Sequence, residues 1–189
     1  MKKAIRTEYA DLGVDAYYST HANEYENPHF PYIQKLLEQN QHRIDYSRVM
    51  DLSAGGGEVT QILRGLLNLN DEEAKQRFVG IDPFTNKLYE KTTRCACLPL
   101  SFDDIIKGKL TPSVLGRFSS IICSFAMHLC PEKQLYPLVN QLFIHSENII
   151  IITPHKRPQL EKLDNTQLNF DDFVLTERGK KVFLKSYIK

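Results

Sequence analysis

The run Asn148-Ile-Ile-Ile-Ile-Thr153 restricts what this chain can fold into more than any other stretch. β-Branched residues favour extended backbone, and a strand sends successive side chains to opposite faces. Four isoleucines in succession therefore place apolar groups on both faces. Such a strand needs cover on each side, as in a parallel sheet with helices packed above and below it.

The preceding segments supply that arrangement. Arg48–Leu52, Phe78–Ile81, Cys97–Leu100 and Phe118–Ser124 read as short strands. Between them, Val59–Leu69 predicts a helix with Ile62, Leu63, Leu66 and Leu67 on one face, Thr85–Thr93 a weaker helix, and Phe102–Lys107 a helical turn. Pro131–Phe143 predicts a helix carrying Leu135, Leu138, Val139 and Leu142. Another helix is expected where Tyr32, Ile33, Leu36 and Leu37 follow Pro28 and Pro31. After Pro154 the pattern changes: Phe173–Glu177 and Lys181–Tyr187 flank Arg178-Gly-Lys, a hairpin signal, and the segment before them is short for a full helix. The fold class that follows is α/β, a three-layer Rossmann-like sandwich whose mostly parallel seven-stranded sheet ends in an antiparallel hairpin.

At 189 residues the chain suits one domain, read as an N-terminal segment (1–30), a core (31–153) and a basic loop with the hairpin (154–189). With 24 basic against 23 acidic side chains, the net charge of +1 gives no global attraction to nucleic acid or membrane. The opening MKKAIRTEYADLG is charged where a secretory leader would be apolar, and no run reaches the roughly 18 apolar residues of a membrane span. A cytoplasmic protein without membrane contact is expected. Cys95, Cys97, Cys123 and Cys130 form no pair of Cys-x-x-Cys units, so buried reduced thiols are expected and no metal site.

The chemistry is concentrated in Asp51-Leu-Ser-Ala-Gly-Gly-Gly57, placed at the turn after the first strand. Glycine permits positive φ and removes the Cβ, so a ligand can lie against the backbone there. Asp82 ends the second strand 25 residues after Gly57, near the offset at which a carboxylate reaches a ribose diol. Glu58 follows the glycines at the helix N-terminus, where it would repel a pyrophosphate, and the third, helix-side glycine of a dinucleotide fingerprint is missing. These features favour a nucleoside without phosphates and disfavour a nicotinamide-dependent oxidoreductase.

From Val49 to Thr153 the order of motifs resembles the class I S-adenosylmethionine-dependent methyltransferases. The resemblance implies S-adenosylmethionine (SAM) as cofactor, with Asp51, Ser53, Ala54, Gly55 and Gly57 beside its methionine end and Asp82, followed by Pro83, at its ribose. Phe102 and Asp103, with Ser101, would flank the adenine, and Ser124 and Phe125 of CSFAMHL would close the site at the fourth strand. Ser53 departs from the family, which most often has glycine there. In many members an N-terminal segment shapes the acceptor pocket, a role open here to Tyr17, Tyr18, Tyr25, Asn27 and His29.

For the acceptor, Thr153-Pro-His-Lys-Arg-Pro158 places Lys156 and Arg157 where they can hold a phosphate or carboxylate. His155 and His128 are the candidate general bases, with structural roles as the competing reading of each. From Pro154 onward eight Lys or Arg face five Asp or Glu, which favours an anionic acceptor; nucleic acid is compatible, although no recognisable RNA-binding module is present. The expected activity is methyl transfer to an unidentified small molecule or nucleic acid. The alternative is a non-catalytic SAM-binding module acting through a protein partner.

Overall fold

In the computed structural model, which describes residues 28–111 and 115–189, the isoleucine run lies inside a seven-stranded sheet. The elements in chain order are α1 (Phe30–Gln39), β1 (Val49–Leu52), α2 (Glu58–Leu66), α3 (Asp71–Arg77), β2 (Phe78–Ile81), α4 (Asn86–Thr93), β3 (Cys97–Leu98) and α5 (Phe102–Ile106). They continue with β4 (Ser120–Ser124), a 3₁₀ turn (Met127–Leu129), α6 (Glu132–His145), β5 (Asn148–Thr153), a second 3₁₀ turn (Leu160–Lys162), β6 (Gln167–Leu175) and β7 (Lys181–Ile188).

The sheet order is β3-β2-β1-β4-β5-β7-β6. The first five strands in that order pair in parallel, and β7 inserts antiparallel between β5 and β6. The direction of strand succession reverses at β1, which lies between β2 and β4. Connections leaving β1 and β4 therefore diverge to opposite faces, and a crevice opens beyond the carboxyl ends of these strands.

The isoleucines divide as the period of two requires. Ile150 and Ile152 join Val49, Phe78 and Ile122 beneath Ile33 and Leu36 of α1 and Val59 and Leu63 of α2. Ile149 and Ile151 join Met50, Leu52 and Ile121 beneath Ile105 of α5 and Leu138, Val139 and Leu142 of α6. All four are at most 1% exposed. The three-layer sandwich expected from the sequence is thus the one observed.

Local boundaries differ from expectation most in three places. The strand expected over Phe173–Glu177 begins at Gln167 and ends at Leu175, because it pairs with β7 along its whole length. The helix expected over Val59–Leu69 ends at Leu66, because Asn68 turns left-handed (φ 51°), and the chain starts the separate helix α3. Asn70 caps α3: its side chain accepts from the Glu72 and Glu73 amides, and the Glu73 carboxylate accepts from the Asn70 amide. The strand expected over Cys97–Leu100 stops at Leu98, since Pro99 has no N–H to donate. Between β5 and β6 only the 3₁₀ turn Leu160–Lys162 forms among the described residues.

The four cysteines are free and buried. Burial pushes their thiols upward, to about 12 for Cys97 and about 11 for Cys130, so they are packing groups, not nucleophiles. Among the described residues no cluster suited to a metal occurs and no helix is long and apolar enough to cross a membrane.

Candidate active site

The glycine loop leaves β1 through Ser53, whose φ of 55° is left-handed. The Cβ of a non-glycine residue crowds the following carbonyl in this conformation, at about 1–2 kcal/mol. Gly55 (φ 57°) and Gly57 (φ 87°) adopt the same region at little steric cost. A Cβ on Gly57 would also stand 2.3 Å from Thr93 Cγ2 and 3.1 Å from the Tyr89 ring. Gly56 has neither constraint, the nearest atom to a Cβ there being 3.7 Å away. The requirement spread over three glycines in the sequence therefore falls on two.

Two buried carboxylates frame this loop in different ways. Asp82, 8% exposed, accepts from the Gly55 amide (3.1 Å) through Oδ2, and from the Phe84 and Thr85 amides (both 2.9 Å) through Oδ1. It thereby ties the glycine loop to the turn after β2. Asp51, 1% exposed, accepts from the Thr60 amide (3.2 Å) and hydroxyl (2.9 Å), both through Oδ2. The Thr60 hydroxyl also lies 2.7 Å from the Tyr89 hydroxyl. Asp51 Oδ1 is buried with no hydrogen-bond partner among the described residues. Burial is the main cause that pushes the Asp51 carboxyl up to about 8; the Thr60 hydrogen bonds oppose it, and the nearby Glu58 and Asp82 charges add to it. At neutral pH this side chain holds a proton.

Glu58 opens α2 with its carboxylate over the loop, since a Cβ on Gly55 would meet Glu58 Oε2 at 3.1 Å. From the other side, Thr92 Oγ1 donates to the Gly56 carbonyl at 2.6 Å. Ala54 is buried, and its amide donates to Ile81 O (3.2 Å), so the loop is pinned to β2 as well.

At the ends of β4 and β5 the character changes. Phe125, directly after Ser124, adopts φ 55° and its amide donates to Ile152 O (2.8 Å). Its ring stacks on His29, with centroids 4.2 Å apart and planes at 12°. Burial lowers the His29 imidazole, keeping it neutral at pH 7. His128 and His155, distant in sequence, meet with ring centroids 4.3 Å apart. Both are exposed, as are Lys156 and Arg157. The His155 amide donates to Thr153 Oγ1 (3.1 Å), fixing the turn, and Arg157 lies 3.8 Å from Glu132 in an exposed pair.

The remaining expected residues are distributed less tightly. Ser101 caps α5 reciprocally with Asp104. Phe102 packs under the α6 side of the sheet, while Asp103 is exposed and ion-paired with Lys107. Pro83 stands in the turn after β2. Tyr17, Tyr18, Tyr25 and Asn27 lie outside the described residues. Three features were not anticipated from sequence: Thr60 and Tyr89 beneath the loop, and Phe84, which is 53% exposed beside Asp82. Gly80 carries the signal for Tyr89, because a Cβ on it would stand 2.7 Å from that ring.

No family model matches the chain. The uncharacterized protein C17A5.05c of Schizosaccharomyces pombe is 31% identical over 192 residues, covering 84% of this chain and 77% of the yeast protein. The chain belongs to the family of that yeast protein. Among solved structures, magnesium protoporphyrin IX methyltransferase (ChlM) from Synechocystis PCC 6803 with bound SAM superposes with a TM-score of 0.61 at 11% identity, covering 98% of this chain and 95% of ChlM. TrmN from Thermus thermophilus gives 0.58 at 15% identity over 83% of this chain and 48% of TrmN. At these identities the likeness is one of fold, and the fold is that of the class I SAM-dependent methyltransferases.

Proposed function

We propose that this chain is a SAM-dependent methyltransferase, with Asp51, Ser53, Ala54, Gly55 and Gly57 around the methionine end and Asp82 and Pro83 at the ribose. The observation that carries the reading is Asp82, buried and held by three amides between the glycine loop and the turn after β2. An acceptor oxygen fixed there suits a ribose diol. The surroundings fit the rest of such a ligand: two loop positions admit no strain-free side chain, and the carboxylates of Glu58 and Asp82 oppose a pyrophosphate but attract a cation. Ser124 and Phe125 close the crevice at β4. Phe102, Asp103 and exposed Phe84 stand on the adenine side.

SAM supplies a methyl group on a positive sulfur. The chain's task is to align an acceptor with it and exclude misdirected attack. Where the acceptor carries a proton that must leave, His155 or His128 would take it as the methyl group is transferred. Lys156 and Arg157 orient an anionic acceptor from the adjoining turn. Tyr25, Asn27 and His29 are the further residues assigned to the acceptor, and of these His29 stacks on Phe125. Residues 1–189 work as one such unit.

The test is calorimetric titration with SAM, S-adenosylhomocysteine and NAD, followed by a labelled-methyl assay on small molecules, RNA and protein. Binding of SAM and its product is expected, with transfer to at least one acceptor class. Affinity for NAD alone overturns the reading, and SAM binding with no labelled product favours a non-catalytic module.

A further inference from the structure

The upper half of the β6–β7 hairpin carries a surface that the cofactor crevice does not use. Register places Thr153, at the end of β5, opposite Phe183, and Phe183 opposite Phe173. These side chains share the sheet face of Tyr187, together with Lys181, Leu175 and Lys185, because strand neighbours in register point the same way. Lower on this face the Leu160–Lys162 turn provides cover: Tyr187 donates to Glu161 (2.9 Å) and Lys185 lies 3.7 Å from the same carboxylate. Higher up the face is open. Phe173 is 43% and Leu175 57% exposed, the Phe173 and Phe183 rings lie 6.2 Å apart, and Lys181 Nζ sits 3.9 Å from the Phe173 centroid.

Charge around these rings is mainly positive. Lys181 and the exposed Arg178 and Lys180 of the hairpin turn rise beyond the sheet, and Lys156 and Arg157 lie in the turn that leaves Thr153. Of the acids nearby, Glu132 faces Arg157, Glu161 faces Lys185, Glu177 is in the hairpin turn, and Asp171 lies toward the covered end opposite Lys185. Aromatic faces interleaved with mobile cations are the composition that holds single-stranded nucleic acid, since every base offers a π-face and every nucleotide a phosphate. A second copy fits less well. Symmetric antiparallel pairing centred on Asp171 or Asp172 of edge strand β6 would set like carboxylates against each other.

We propose that this hairpin face is the docking platform for a single-stranded polynucleotide acceptor, with Phe173 and Phe183 stacking bases and Lys180, Lys181, Arg178 and Lys156 holding phosphates. The platform adjoins the His128–His155 pair through Thr153, which pairs with Phe183 and leads into the turn carrying His155. The inference rests on the methyltransferase reading for what happens at that mouth, but binding can be measured without turnover. Displacement of Lys181 from the Phe173 ring exposes the stacking face and frees its ammonium for phosphate.

Fluorescence anisotropy with labelled 20-nucleotide single-stranded RNA, single-stranded DNA and duplex DNA tests it, with SAM affinity measured in parallel. Single strands should bind more tightly than duplex, with affinity falling steeply as salt rises. Phe173→Ala should weaken single-strand binding about tenfold, and Lys180→Ala/Lys181→Ala should weaken it and flatten the salt dependence. Both should leave SAM affinity unchanged, which also shows that they fold. Preference for RNA or DNA identifies the polynucleotide. The proposal is overturned if no single strand binds, if the variants bind as the wild type does, or if they only convert a dimer to a monomer. SAM binding without polynucleotide binding removes the platform while leaving the methyltransferase reading intact; polynucleotide binding without SAM binding does the reverse.

Discussion

The ends of β1 and β2 and the ends of β4 and β5 open onto the same crevice but are built on opposite principles. At the first pair the polar groups are buried and held by backbone amides: Asp82 by three, Asp51 by the amide and hydroxyl of Thr60. At the second, His128, His155, Lys156 and Arg157 are exposed and meet through side chains. Backbone-held groups are preorganised and tolerate little change. Exposed groups on a turn can be altered without disturbing the core, so their substitution should report on chemistry instead of folding.

That contrast can be broken by substitution. Gly57→Ala should have the largest effect, losing about 2–4 kcal/mol of stability from left-handed strain and overlap with Thr93, while Gly56→Ala stays within about 0.5 kcal/mol; thermal denaturation of the pair checks this, and equal losses would mean the loop is not so constrained. On the side proposed for the acceptor, His155→Gln should lower kcat about a hundredfold for an acceptor that loses a proton, with SAM affinity and melting temperature unchanged. A parallel loss of cofactor affinity would erase the division between the two ends.

Asp82→Asn should weaken SAM binding about thirtyfold, near 2 kcal/mol for hydrogen bonds to a charged group, yet leave acceptor binding intact. The Asp51 carboxyl adds a pH dependence. Its folded value of about 8 lies above the unfolded carboxylate value, so the folded state retains the proton that the unfolded state has released. Stability from this group is fully present below about pH 4, declines as pH rises, and levels off above about pH 8. Denaturant titrations across that window should show the decline, and Asp51→Asn should flatten it. Smallest of all, Ser53→Gly should change stability by no more than about 0.5 kcal/mol, because relief of the left-handed strain is offset by the greater freedom of glycine in the unfolded chain.

Legibility followed the range of the interactions. The isoleucine run announced its two-sided burial because alternation is a property of the strand itself. The glycine loop and Asp82 were visible because their spacing is local to one β–α–β unit. Helix α3 carried a readable signal, Asn70 with Glu73, that the continuous apolar pattern of Val59–Leu69 overshadowed. The His128–His155 contact had no local signature; it exists because β4 and β5 pair in parallel, with Ser124 beside Ile152. Tyr89 beneath the loop was equally hidden, since the space for its ring is the missing Cβ of Gly80 on another element.

By itself the sequence determined that strands and helices alternate, that one strand is buried on both faces, and that a backbone without side chains turns beside a carboxylate. Those are consequences of side-chain period, volume and backbone freedom, all of which act within a few residues. Only the tertiary structure decided that Asp51 is protonated, that two distant histidines meet, and that β7 enters between β5 and β6 to raise Phe173, Phe183 and Lys181 beside the crevice. Each depends on desolvation or on contact between segments far apart in the chain, and neither quantity exists until the sheet has closed around them.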